Sequence, residues 1–357
     1  MTRARELADA VGKPQGEKNF LINGAMELWQ RAASATVSTD VYSTVDRWKT
    51  RVNAIGAFVV SRSTDVPSGE GFLYSIKYDC STADASPAVG DFNIFEQRIE
   101  SINLINIKKG TPSADPLTLS FWVKSNKTGT YIASIYDSIN DRRISKAYTI
   151  DSSGVWEKKS VTFPGDTGGS GMSFSVNVGF YLQMWLGAGS TYTSGTLATS
   201  WEANVNANIC PGQTNLADST SNELYFTGFQ LEIGEVDSNF QFDSYPTLLK
   251  KCQRYYFRPH NDSYGWQGRR GGGRLFRVNN RTQGTVEFPV TMRAAPSFSA
   301  VRGYGDGIWG GGSIYAGNGW STPAARDYVN IESNVDVNSG GGNGGTFGFN
   351  VTISAEL

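Results

Sequence analysis

Phe174-Ser175-Val176-Asn177-Val178-Gly179-Phe180-Tyr181-Leu182-Gln183-Met184-Trp185-Leu186 sets Phe174, Val176, Val178, Phe180, Leu182, Met184 and Leu186 on one parity. Side chains of an extended chain point alternately to two faces, so a period of two predicts a strand with one apolar face. The stretch is long enough for one strand that bends or for two in succession. Upstream, Leu117, Leu119, Phe121 and Val123 alternate with Thr118, Ser120, Trp122 and Lys124, and Asn126-Lys127-Thr128-Gly129 supplies a turn. Downstream, Tyr225, Thr227, Phe229, Leu231 and Ile233 repeat the pattern, with Gln230 and Glu232 facing the other way. Strands at short intervals, with no long helical pattern between them, predict an all-β antiparallel sandwich.

The composition agrees. Of 357 residues, 41 are Gly, 12% are aromatic and only 18% are charged, which suits β-structure with many tight turns and excludes a coiled-coil rod over most of the length. A net charge of −1 gives no global basic field for nucleic acid. Cys80, Cys210 and Cys252 are widely spaced and odd in number, with no CxxC pair. They read as buried thiols acting as small hydrophobes, without a zinc site or a disulfide framework.

Three units follow along the chain. Residues 1–18 form an arm and linker. Thr2 can cap a short helix, Gly12 can end it, and Ala4, Leu7, Ala8 and Val11 share a stripe. Such a helix is too short to be stable alone. It needs a partner, either its own copies or a socket on another protein, and Arg3, Arg5, Leu7 and Val11 are its candidate docking residues. The N-terminus lacks the apolar core of a signal peptide, and no run approaches the roughly 20 apolar residues of a membrane span. Residues 19–246 hold the first sandwich. Pro246 to Arg254 breaks the β pattern as a short helix or turn, and residues 247–357 form a smaller C-terminal β-sandwich. Its expected strands are Arg274 to Val278, Gly284 to Val290, Ser297 to Val301 and a last one in which Phe347, Phe349, Val351, Ile353 and Ala355 face one way.

Catalytic machinery is thin. His260 is the only histidine, and no GxSxG, HExxH or GxxxxGK[ST] pattern is present. Two carboxylates at a suitable separation would suffice for a glycosidase, but the acidic residues are scattered beside Ser, Gly and Asn, as solvated loop carboxylates are. The chain therefore reads as a non-enzyme. No cofactor is expected. A structural calcium ion is compatible with loop carboxylates of a sandwich, though no DxDxDG loop occurs. Arg269-Arg270-Gly271-Gly272-Gly273-Arg274 is locally basic but leads into a strand, so it reads as a flexible hairpin loop, with contact to an acidic glycan or lipopolysaccharide phosphate as the functional alternative. Tyr264 and Trp266 precede it, while Tyr304, Trp309, Tyr315 and Trp320 stand among glycines. Rings in glycine-rich loops tend to lie at the surface, where a flat apolar face can stack on a sugar ring. These six aromatics are the candidate glycan-binding residues.

Asn19-Phe20-Leu21-Ile22-Asn23-Gly24-Ala25-Met26-Glu27-Leu28-Trp29-Gln30-Arg31, followed by Tyr42 and Asp46-Arg47-Trp48, resembles the start of a domain common in phage tail-fibre and related virion proteins. Asp115 to Ser125 and Trp156 to Asp166 are similar to its middle. Gly228 to Glu235, Phe240, Tyr245 and Cys252-Gln253-Arg254-Tyr255-Tyr256 are similar to its end. Phe288 to Pro296 and Ser354-Ala355-Glu356-Leu357 resemble the small β domains that finish many such fibres. The resemblance implies a jelly roll of the carbohydrate-binding-module type in a virion component, commonly a homotrimer near the host-contacting end of the tail. It also implies that Trp29, Trp48 and Trp122 pack the sandwich and that Arg31 and Arg47 pair with carboxylates or backbone carbonyls.

The expected function is that of a phage fibre or adhesin. It would be assembled in the host cytoplasm, dock to other virion proteins by its N-terminal arm and bind host surface polysaccharide or lipopolysaccharide. It would contact no nucleic acid and insert into no membrane. An architectural protein, either a capsid-decorating fibre or a tail adaptor, is the alternative, and a glycan depolymerase is a third.

Overall fold

The computed structural model describes residues 19–258, 276–278, 281–305, 314–316, 326, 328–333 and 347–357. The N-terminal arm, with Arg3, Arg5, Leu7 and Val11, lies outside the described residues. In chain order, the first strands are β1 (Ser34–Val37), β2 (Trp48–Asn53), β3 (Ala57–Ser63), β4 (Ser75–Thr82), β5 (Phe92–Glu100) and β6 (Leu117–Ser125). They are followed by β7 (Gly129–Asp137), β8 (Arg142–Ile150), β9 (Glu157–Phe163), β10 (Val178–Ala188), β11 (Glu202–Ala203) and β12 (Glu223–Ile233). They build two six-stranded antiparallel sheets, ordered β1-β3-β4-β12-β6-β9 and β11-β8-β7-β10-β5-β2. The expected sandwich is what forms.

Between the sheets the apolar parities interlock. Trp48 stacks on Phe95 at 4.5 Å between ring centroids, and Phe229 lies 4.7 Å from Trp48 and 5.3 Å from Phe121. Trp48, Phe95, Phe121 and Phe229 are all buried. Each contributes about 1.5–3 kcal/mol through removal of apolar surface from water.

Two readings of parity need correction. Phe174 and Val176 precede β10 instead of joining it, and Phe174 is exposed. The carbonyls of Ser175 and Asn177 accept hydrogen bonds from the backbone N–H groups of Ile102 and Ser101, which turns this segment out of the ladder. In β12 a bulge between Thr227 and Gln230, at Gly228 with φ +68°, switches the inward face. Leu224 and Phe226 join the core before it, and Phe229 and Leu231 after it. Tyr225 therefore points outward, where its ring meets Trp156. Trp122 also sits outside the first sheet, against Gly228, and does not pack between the sheets. Trp29 is half-buried against the core, with its indole Nε1 donating to the Met26 carbonyl.

The Asn19–Arg31 motif folds as a strap along β12. Asn19 donates to the Phe229 carbonyl and accepts from the Leu231 N–H, and Gly24 passes so close that a Cβ would stand 2.0 Å from the Phe229 oxygen. Asn23 accepts from the N–H groups of Glu27 and Leu28 and donates to the carbonyls of Leu28 and Asp46. These are structural duties.

A helix, Tyr245–Gln253, follows the sandwich, with Leu248 and Cys252 packing on Leu28. Cys80, Cys210 and Cys252 are buried free thiols. Beyond the helix come β13 (Tyr256–Phe257), β14 (Phe276–Val278), β15 (Arg281–Glu287), β16 (Ser297–Gly305), β17 (Ile314–Ala316), β18 (Tyr328–Ser333) and β19 (Phe347–Ser354). They form a three-stranded sheet, β13-β19-β16, and a four-stranded one, β14-β15-β18-β17. After β19 the chain docks on the sandwich. Glu356 pairs with both Arg31, at 2.8 Å, and Arg47, and the Leu357 carbonyl accepts from Tyr42 and Arg98. Arg31 lies 3.7 Å over the Tyr256 ring and Arg47 lies 3.4 Å over the Tyr255 ring. The motif arginines thus pair with carboxylates, as the resemblance implies.

Candidate functional site

On the second sheet, the core takes Ile99, Ile135, Ile144 and Leu182, so their neighbours of opposite parity face outward. Strand register sets four of these in one line. Arg98 of β5 stands opposite Tyr181 of β10, Tyr181 opposite Tyr136 of β7, and Tyr136 opposite Arg143 of β8. Residues directly opposite on one face are close enough to interact. The Arg98 guanidinium lies 4.8 Å from the Tyr181 ring centre, the two tyrosine rings are 5.5 Å apart, and Arg143 is 4.7 Å from the Tyr136 ring centre. Four strands at the usual spacing make this row about 14 Å long.

A polar row runs beside it, made of Ser145, Ser134, Gln183, Glu96 and Lys49. Glu96 is buried and accepts from Arg98 at 2.8 Å and from Gln183 at 3.0 Å, while Arg51 approaches it to 3.5 Å. Gln183 turns its oxygen to Arg143 at 2.7 Å, which fixes the amide's orientation. Trp185 donates to Ser134 at 3.1 Å. Past this row, Ile94, Ile132 and Trp185 are covered by Ile209 and Cys210. At the other end the Leu357 carbonyl sits on Arg98 at 2.6 Å. The row lies between these two covers, with Tyr136 and Tyr181 half-buried.

Electrostatics separate the two ends of the row. Burial alone would lower the Arg98 guanidinium, but the adjacent Glu96 carboxylate together with Tyr42 and Tyr181 outweighs it and holds the group above its ordinary value. At Arg143 burial wins and lowers the guanidinium to about 10, against the opposing pull of Tyr136 and other neighbours. Burial and the Asp141 carboxylate, which accepts from the Tyr136 hydroxyl at 3.0 Å, raise the Tyr136 phenol.

The candidate residues read from the sequence lie elsewhere. Tyr264, Trp266, Trp309 and Trp320 fall outside the described residues, as do His260 and the loop 269–274. Tyr304 is in β16 and Tyr315 in β17, on different sheets, and the described structure covers only their backbone. Among the described residues, no group of three or more His, Cys, Asp or Glu side chains comes together to hold a metal. The buried carboxylates of Asp137 and Asp166 are bridged by the Lys109 ammonium, at 2.8 and 3.2 Å. A groove of about 660 Å³ lies between Asn19, the segment Ser238 to Asp243 and Lys251, but its Phe240 and Phe242 rings pack on Phe72.

No protein-family model and no curated protein matches the chain. Among solved structures, it is similar to the enzymatically active domain of tailspike protein 4 of bacteriophage CBA120, at 17% identity and a TM-score of 0.28. That match covers 60% of this chain and spans only 21% of the tailspike chain. It is also similar to a family 11 carbohydrate-binding module from Clostridium thermocellum in complex with a β-1,3-1,4-mixed-linked tetrasaccharide. The identity there is 11% and the TM-score 0.30, over 57% of this chain and 98% of the module. Likenesses of this size assign no ligand.

Proposed function

We propose that this protein is a glycan-binding fibre or adhesin of a bacteriophage particle, acting by binding and not by catalysis. The observation that carries glycan binding is the Arg98–Tyr181–Tyr136–Arg143 row. It offers two half-buried rings with apolar faces and polar rims, and guanidinium groups for sugar hydroxyls, on rigid strands. Glu96 is committed to Arg98 and Gln183, which suits a positioning carboxylate better than an acid–base group. Placement in the virion rests on the sequence resemblance, with residues 1–18 as the docking arm. The aromatics of the glycine-rich loops would add a second contact, and a homotrimer would multiply a modest affinity.

The test is a glycan array probed with the whole protein, followed by titration of the best ligand. Replacing both tyrosines, Tyr136→Ala with Tyr181→Ala, is expected to weaken binding by roughly tenfold or more while the fold persists. Unchanged binding in the double variant would rule out the row as the site. Labelling of phage particles with an antibody to this chain should mark the virion, and unlabelled particles would refute the placement.

A further inference from the structure

Among the described residues, Arg47 and Arg143 are the buried arginines. Arg47 has Glu356, whereas Arg143 makes no ion pair among the described residues. Its partners are neutral: Nε donates to Asn204 Oδ1 at 2.8 Å, and Nη1 donates to Ser134 Oγ at 3.0 Å and Gln183 Oε1 at 2.7 Å. Nη2 makes no hydrogen bond among the described residues. The fold has removed a cation from most of its water with no carboxylate in contact, Glu96 and Asp141 acting on it only from a distance, which is costly unless an anion arrives from outside. The surroundings favour that arrival. Lys49, Arg51 and Arg98 lie on the same face, where Glu96 is buried beneath Arg98 and Asp40 is drawn off by Lys49 and Arg51 at the margin. Asp141, the opposing charge at the Tyr136 end, is exposed and therefore screened by solvent.

We infer that the ligand of this row is an acidic glycan, whose carboxylate or phosphate pairs with Arg143 while its sugar rings lie on Tyr136 and Tyr181. This inference rests on the glycan-binding reading above and names the class of sugar. A planar guanidinium with a free Nη2 suits both oxyanions.

An array carrying neutral, carboxylated and phosphorylated glycans separates the cases. The expected result is that the bound glycans are acidic and that binding weakens as salt is raised. The carboxylated and phosphorylated arms show which oxyanion is taken. Arg143→Gln should then lose roughly tenfold or more in affinity for the acidic ligand, and Arg143→Lys should lose less. Binding confined to neutral glycans would overturn the inference and leave the row's glycan role standing, and this outcome needs no variant at all. Acidic-glycan binding that is unchanged in Arg143→Gln would overturn it too. A blank array would overturn both this inference and the reading beneath it.

Discussion

Arg47 over Tyr255 and Arg143 over Tyr136 are two guanidinium–tyrosine stacks in one molecule, with ring distances of 3.4 and 4.7 Å. Around Arg47, the Glu356 carboxylate reaches it and Arg31 together, and Asp46 holds Arg31 at 3.0 Å. Both arginines there have a carboxyl group of the chain in contact. Around Arg143 the acceptors are an amide of Asn204, an amide of Gln183 and the Ser134 hydroxyl, all neutral. One cluster is closed and fastens the chain. The other is open and waits for a charge. Residue type does not separate a structural arginine from a binding one; the presence of an internal carboxylate does.

The largest test of this contrast is Glu356→Ala. It strands Arg47 in a buried site and leaves Arg31 with Asp46 alone, and the expected loss is about 3–5 kcal/mol of stability, read from urea unfolding. A loss below about 1 kcal/mol would mean that the cluster is not closed in the sense argued here.

Next comes pH. Burial pushes the Asp46 carboxyl up to about 7, against the pull of Arg31. An unfolded aspartate titrates near 3.9, so the folded state holds this proton more tightly. Its contribution to stability is full below about pH 4 and is lost as pH rises toward 7, at no more than about 1.4 kcal/mol per unit. Asp46→Asn should flatten that part of the stability profile. An unaltered slope in the variant would show that another group sets it.

The smallest effect is expected at the open cluster. Arg143→Gln removes a buried cation that has no anion, so its stability should stay within about 1 kcal/mol of the parent. A cost as large as that of Glu356→Ala would make Arg143 a second fastening and erase the contrast.

Much of the fold was legible as parity. Leu117, Leu119, Phe121 and Val123 face the core as their spacing predicts, and so do Phe180, Leu182, Met184 and Leu186. What parity missed was where a ladder starts and where a bulge reverses it. Phe174 was lost to backbone bonds from the turn at Ser101, and Tyr225 to the bulge at Gly228. The candidate row was harder still. Arg98, Tyr136, Arg143 and Tyr181 come from four strands and share no local pattern, so only the pairing register brings them together. The signal was present in part, since Tyr181, Gln183 and Trp185 are the outward parity of the same stretch whose inward parity decided the fold. Tyr264, Trp309 and Trp320 stand out in the sequence because rings among glycines do, whereas rings among strand residues do not.

Arg31 and Glu356 are separated by 325 residues. A ribosome adding about 5–20 residues per second delivers the arginine roughly 15–65 s before its carboxylate. Asn19 waits in the same way for Phe229 and Leu231, 210 and 212 residues on. The strap is thus made well before it is secured. A polypeptide that lacks Glu356 leaves without their shared carboxylate two arginines that the folded protein covers, so the strap is fastened by a residue made long after it.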